Sequence, residues 1–309
     1  MIQKSVLNRI RAYVRDPRPD FLPAFKMMLS PEFKMPIWEF VKYFANLLAN
    51  KIPGLKQLVG NKRTVDFSEY MTAYDRTTAT FRPYQEQLSR IIQLLQIKPG
   101  ETVVELGSGT GNMTKLLLEQ GASVIAIDNL RLANEVNQKK NPAVSVMGVN
   151  IDRTDHKTGF ISLPDHSVDK ICAANLWTYI RNRSVLYEEI KRLLKPGGVL
   201  VLAVERQGYD PLAILKEHLK KEYHRYEGEG LPPLSAAIKV YIGFIKKYDA
   251  LLITMEETKK LMRGIAAGDY KVFTEEEAVR ELAENGFKNA SFEIAYAQQA
   301  IILKSVAAD

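Results

Sequence analysis

Val103-Val104-Glu105-Leu106-Gly107-Ser108-Gly109-Thr110-Gly111-Asn112 is the stretch that decides how this chain is read. A short apolar run enters a glycine-rich turn, and an amphipathic stretch, Met113–Gln120, leaves it: strand, turn, helix. Glycines at alternate positions let the backbone turn sharply and let a ligand approach main-chain N–H groups. The N-terminus of the following helix adds partial positive charge suited to a carboxylate or phosphate. The spacing is Gly-x-Gly-x-Gly, and Asn112 stands where a dinucleotide fingerprint places its third glycine, which argues against a nicotinamide or flavin. The next apolar run ends in Ile127-Asp128, 21 residues after Gly107. A carboxylate there can accept from both hydroxyls of a ribose, at roughly 1.5–3 kcal/mol per charged hydrogen bond.

Working outward, short apolar runs recur at Thr102–Leu106, Ser123–Ile127, Val144–Val149, Val168–Asn175 and Val199–Val204, separated by amphipathic stretches. That alternation predicts a parallel sheet covered by helices on both faces. Thr274 and Glu277 have the spacing of a capping box opening a helix over 275–285, with Gly286 as its stop. Phe292–Ala297 and Ala300–Val306 then read as a hairpin turning at Gln298-Gln299. The spacing divides the chain into a basic helical extension (1–63), a core (64–205), a helical cap insertion (206–272) and a completion of the core (273–309). Leu234–Ile253, apolar around most of its circumference, predicts a buried helix within the insertion.

At this point the chain resembles the class I S-adenosylmethionine (SAM) dependent methyltransferases. The glycine stretch is similar to their first motif. Leu163-Pro164-Asp165-His166-Ser167-Val168-Asp169 is similar to the family's "LPFPDxSFD", with Val168 in place of Phe. Tyr187–Gly198, ending Leu194-Lys195-Pro196-Gly197-Gly198, is similar to "EixRvLKPGG". With the late helix TEEEAVRELAENGF, the resemblance covers about residues 98–205 and 272–306, nearest to the ubiquinone/menaquinone-biosynthesis type. It implies an α/β, Rossmann-like seven-stranded sheet and SAM as cofactor. It also implies that Glu105, Gly107, Ser108, Gly109, Gly111 and Asn112 surround the methionine part, and Asp128 with Asn129 the ribose. Asn150 and Asp152 are both candidates for adenine, because an extra loop, Arg153–Ser162, follows them. Tyr74, just upstream of the first strand, is a further candidate for a donor contact.

Methyl transfer from a sulfonium is an in-line displacement in which alignment does much of the work, so no universal catalytic side chain is expected. Asn175-Leu176-Trp177-Thr178-Tyr179 follows the fourth strand, where donor and acceptor should meet. It is similar to the Asn-x-Pro-Tyr motif of adenine-N6 methyltransferases, with Trp177 in the proline's place. Asn175 and Tyr179 are therefore catalytic candidates on the acceptor side, Asn175 is also a candidate for a donor contact, and His218 is a candidate base. Glu205, Arg206 and Tyr209, at the end of the fifth strand, are placed to border the acceptor. His218 and His224, six residues apart, do not share a helix face, so no metal site is expected. His156 and His166 complete the histidines.

The chain's 309 residues have ordinary globular composition, with 46% hydrophobic and 26% charged residues and no apolar run long enough to span a bilayer. One cysteine, Cys172, excludes an intrachain disulfide, and a reducing cytoplasm is the expected setting. Residues 1–63 hold twelve lysines and arginines against four acids, a local surplus larger than the whole chain's net +7. An anionic partner is expected at that end. Within it, Pro36–Leu48 predicts an aromatic helix flanked by lysines, fitted to lie at a membrane interface or over a lipophilic substrate. The expected function is methyl transfer to a small lipophilic acceptor, at a membrane surface. The alternatives are an RNA nucleobase methyltransferase using the basic arm, and a SAM-binding protein without transferase activity.

Overall fold

The run Thr102–Leu106 is buried at four of its five positions, as a strand covered on both faces must be, and it lies in the interior of the sheet. The computed structural model describes residues 21–30, 32, 67–153, 155 and 157–307. The expected helix at 36–48, most of the basic segment 1–63 and His156 lie outside these residues.

In chain order, α1 (Phe21–Leu29), α2 (Phe67–Arg76) and α3 (Arg82–Leu95) precede β1 (Thr102–Leu106). Next come α4 (Asn112–Glu119), β2 (Ser123–Asp128), α5 (Arg131–Lys140), β3 (Ser145–Gly148), β4 (Val168–Ala174), α6 (Arg183–Leu193) and β5 (Leu194–Glu205). The remainder is α7 (Pro211–Gly228), α8 (Pro233–Lys246), α9 (Tyr248–Ala267), α10 (Glu275–Glu284), β6 (Phe287–Ala295) and β7 (Ala300–Ala307). The chain divides into two compact units.

One unit, residues 84–209 with 261–309, holds the seven-stranded sheet in the order β3-β2-β1-β4-β5-β7-β6. β1 to β5 are parallel, and β7 runs antiparallel between β5 and β6. Val104, Leu106, Ile171, Leu202 and Leu303 form part of one continuous core with Trp177, Tyr187 and Phe273. β5 begins at Leu194, five residues before the expected Val199. Leu194 pairs with Val168, and the ladder then skips to Val199 opposite Lys170, so Lys195–Gly198 bulges out. β6 begins at Phe287, five residues before the expected start, and its turn is longer. Tyr296, Ala297 and Gln298 all have left-handed φ, and Tyr296 buries its ring edge-on to Tyr84.

The capping box forms as expected: Thr274 Oγ1 accepts from the Glu277 N–H at 3.1 Å, and the Glu277 carboxylate accepts from the Thr274 N–H at 3.0 Å. Thr274→Ala should lower stability by about 1 kcal/mol in a urea titration. An unmoved midpoint would show that α10 does not need its cap.

The other unit contains the described residues up to Pro83 with Asp210–Lys260. Arg76 makes a bidentate pair with Asp249 at 2.9 and 3.0 Å, and Arg82 Nε donates to Glu222 at 2.7 Å. The single helix expected at 234–253 is two. α8 closes with Lys247 N–H on the Phe244 carbonyl, and a new ladder starts as Leu251 N–H meets the Lys247 carbonyl. Lys247 turns its ammonium to Thr80 Oγ1 at 2.8 Å. The expected burial holds on both sides of the break, at Ala236, Ala237, Tyr241, Phe244, Tyr248 and Leu251. No described helix is long and apolar enough to cross a membrane.

Candidate functional site

β1 delivers the glycine turn to the carboxyl end of the sheet, beside the ends of β2 and β4. All three glycines have left-handed φ, 67° at Gly107, 51° at Gly109 and 81° at Gly111, but their surroundings differ. A Cβ on Gly107 would lie 2.8 Å from Leu176 Cδ1, and one on Gly111 would lie 2.1 Å from Asn137 Oδ1. A Cβ on Gly109 would meet nothing within 4 Å. Two of the glycines thus make room for the protein's own side chains, and the middle one faces open space.

Several polar groups adjoin that glycine. Asp128 Oδ2 accepts from the Gly109 N–H at 2.9 Å while its Oδ1 accepts from the Leu130 N–H at 2.9 Å. Ser108 is buried, and its hydroxyl has no hydrogen-bond partner among the described residues. α4 opens at Gly111 without a side-chain cap. Asn112 accepts from Lys140 Nζ at 3.0 Å and donates to Thr110 Oγ1 at 3.1 Å, and Asn129 is exposed beside Asp128. A donor with an amino-acid end and a ribose needs close backbone approach, an unspent hydroxyl and a carboxylate, and these residues fit it.

Glu105 is 2% exposed and lies beneath the turn, its carboxyl receiving the Thr114 hydroxyl. Burial pushes its pKa up to about 8; the bond from Thr114 opposes the rise and the Asp128 charge adds to it. Asn150 is exposed, its Oδ1 accepting from the Asp152 N–H at 3.1 Å. Asp152 is taken up by the turn after β4: it accepts from the Arg181 N–H at 2.9 Å and from Arg181 Nε at 2.8 Å. The extra loop is pinned to α6, where Glu189 accepts from the N–H groups of Gly159 and Ile161 at 2.5 and 3.0 Å.

On the acceptor side, Asn175 ends β4 in the left-handed region, with φ 56°. Its amide pairs reciprocally with that of Gln87 on α3, at 3.0 and 3.3 Å. Leu176 packs on Gly107, and the turn Trp177–Tyr179 is held by two carboxylates. Trp177 Nε1 donates to Glu281 at 3.3 Å, and the Thr178 hydroxyl donates to Glu205 at 2.5 Å. Burial raises the Glu205 pKa, against the Thr178 bond. Tyr179 is 40% exposed and meets Tyr270 edge-on at 5.1 Å. Arg206 pairs with Glu275 at 2.8 Å, and Tyr209 is half-buried.

Tyr74 and His218 belong to the other unit. Tyr74 lies 6.0 Å from Tyr70, ring to ring. His218 stacks on Phe81 at 4.7 Å, and its Nδ1 accepts from the Arg82 N–H at 3.2 Å. Burial first, then the charges of Lys247 and Arg82, lower its pKa to about 4, with Glu222 opposing. His218 is therefore neutral near pH 7. His224 is exposed beside Glu227, and His166 Nδ1 lies 2.9 Å from the Leu194 carbonyl.

Sequence reasoning missed Gln87, Thr114, Asn137, Asn141 and Leu176. The one visible signal was the run of asparagines, Asn134 and Asn137 within α5 and Asn141 at its C-cap, and it does not say which of them is buried.

Comparison with known proteins agrees with this geometry. Residues 104–202 match the family described as "Methyltransferase domain". The sheet order β3-β2-β1-β4-β5-β7-β6 is that of the Rossmann-like class I methyltransferase fold. Over 156 residues it is 31% identical to a demethylmenaquinone methyltransferase of Clavibacter sepedonicus, covering 47% of this chain and 61% of the relative. Over 159 residues it is 28% identical to the ubiquinone/menaquinone biosynthesis C-methyltransferase UbiE of Hydrogenovibrio crunogenus, covering 48% and 56%. The chain thus spans less than two thirds of the length of these relatives. Among solved structures it resembles a chain from the Haloferax volcanii complex of the Trm112 methyltransferase activator with a methyltransferase. There the TM-score is 0.51 at 14% identity, over 80% of this chain and 100% of that one, a likeness of fold.

Proposed function

We propose that this chain transfers a methyl group from SAM to a small lipophilic acceptor. The observation that carries the reading is the open space at Gly109, with the unpartnered Ser108 hydroxyl and the Asp128 carboxylate beside it. SAM, when bound, supplies a sulfonium methyl open to in-line displacement. In this reading Ser108, Gly109 and Asp128 bind the donor. Leu176 and the Gln87–Asn175 pair fix the wall between donor and acceptor, and the clamped turn 177–179 presents Tyr179 on the acceptor side. The lipophilic character rests on the two relatives, whose names specify quinone substrates. The basic N-terminal segment supports a setting in the cytoplasm beside an anionic membrane.

Calorimetry with S-adenosylhomocysteine should give saturable heat with this chain, and absence of heat would sink the proposal. Label from methyl-labelled SAM should pass to a quinol such as demethylmenaquinol in preference to phosphoethanolamine or RNA. Transfer to water-soluble acceptors alone would remove the lipophilic part. Co-sedimentation with anionic but not neutral vesicles is the expected result for the membrane setting. Salt-dependent RNA binding without vesicle binding would favour the nucleobase reading.

A further inference from the structure

We infer that Asn137 of α5 and Asn141, the C-cap residue of that helix, are positioning residues for the methyl donor, holding the Gly111 turn from behind. This rests on the donor reading of the turn given above. The two asparagines stand one helical turn apart and are 0% and 5% exposed. Buried amides are tolerated only when paired, and here the pairing forms a chain. Asn137 Nδ2 donates to Thr114 Oγ1 at 3.0 Å in the first turn of α4, and Thr114 in turn donates to Glu105 at the end of β1. Asn137 Oδ1 accepts from Asn141 Nδ2 at 2.9 Å, and the same Nδ2 donates to the Gly111 carbonyl at 3.0 Å. The network therefore begins under the strand, passes through both helices and returns to the turn.

Its geometric consequence lies at one peptide. The Gly111 carbonyl also accepts the first ladder bond of α4, from the Lys115 N–H at 3.2 Å. A trans peptide is planar, with its C=O and N–H pointing opposite ways. Anchoring the Gly111 carbonyl toward α5 therefore aims the Asn112 N–H out of the helix N-terminus, on the side of the turn that faces away from α5. The asparagines fill the volume that a side chain at position 111 would need, which accounts for the glycine there. At position 137, inside α5, space-filling alone would be better served by an aliphatic residue, since asparagine is a poor residue within a helix. Amides here add orientation.

The test uses S-adenosylhomocysteine binding to the full chain, with amide hydrogen exchange over residues 109–113 as a second readout. Asn137→Ala, and Asn141→Asp, which keeps the shape but loses the donor to Gly111, should each weaken binding about tenfold or more, with exchange of that segment accelerated. Glu135→Gln, on the exposed face of the same helix, should match the wild type in both. Folded variants that melt lower yet bind within about twofold of wild type, with unchanged exchange, would reduce the pair to packing and overturn the inference. If Asn137→Ala does not fold, the isosteric Asn141→Asp decides alone. A wild type that takes no S-adenosylhomocysteine would fail the donor reading itself. Wild-type binding with indifferent variants fails only this inference.

Discussion

Gly111→Ala should destabilise the chain by about 3 kcal/mol or more, whereas Gly109→Ala, two residues earlier in the same motif, should cost only about 1 kcal/mol. Both glycines have left-handed φ, so both substitutions carry the backbone penalty of a Cβ in that region. They differ in what the Cβ meets. At 111 it would press 2.1 Å from Asn137 Oδ1 and 2.6 Å from Asn141 Nδ2, and neither buried amide can retreat without losing its partners. At 109 it enters open space. Denaturant midpoints of the two variants measure the difference directly. Equal midpoints would mean that the Asn137–Asn141 packing yields freely.

Donor binding should follow the opposite order of causes. Gly109→Arg fills the space beside Asp128 and Ser108 without touching the core, so the variant should fold and lose its heat with S-adenosylhomocysteine. Gly111→Ala should lose binding only together with its fold or with the geometry of the turn. A Gly109→Arg chain that binds like the wild type would show that the open space is not the donor's.

The contrast also marks where sequence stops being informative. β1, β2 and β4 are covered on both faces, so they must be written as apolar runs, and the runs are visible without a structure. Glycines at 107, 109 and 111 are visible too, but their division of labour is not. It depends on Leu176, Asn137 and Asn141, which are distant in the chain and carry no motif. Asn175 was legible as the residue after β4, but its partner Gln87 lies 88 positions away. The break at Lys247 escaped notice for a related reason. Neither glycine nor proline stands at the break itself, and the lysine there reaches Thr80, a partner far away in the chain. Local pattern reports burial and turns, and it is silent on pairings between distant polar side chains.

Glu105 should make the chain lose stability as pH rises from about 6.5 to 8.5. Its folded pKa, about 8, lies above the ordinary 4.5, so the folded chain binds more protons than the unfolded chain between those values. The stabilisation is complete below the unfolded pKa and is lost as pH climbs through the folded one, at most about 5 kcal/mol in all. His218 works in the opposite sense. Its pKa is lowered from 6.5 to about 4, so stability rises with pH over that interval and masks part of the Glu105 effect there. Glu222, lowered to about 2, acts below 4.5. Above pH 6.5 these two groups are silent, and the falling limb there is the one expected of Glu105. Glu105→Gln keeps an acceptor for the Thr114 hydroxyl and carries no proton to lose, so it should flatten most of that limb. Urea titrations at half-unit pH steps would measure the change. A Glu105→Gln chain with the wild-type slope would mean that Glu105 is ionised beneath the turn near neutral pH, and that Thr114 with the surrounding N–H groups solvates a charge there.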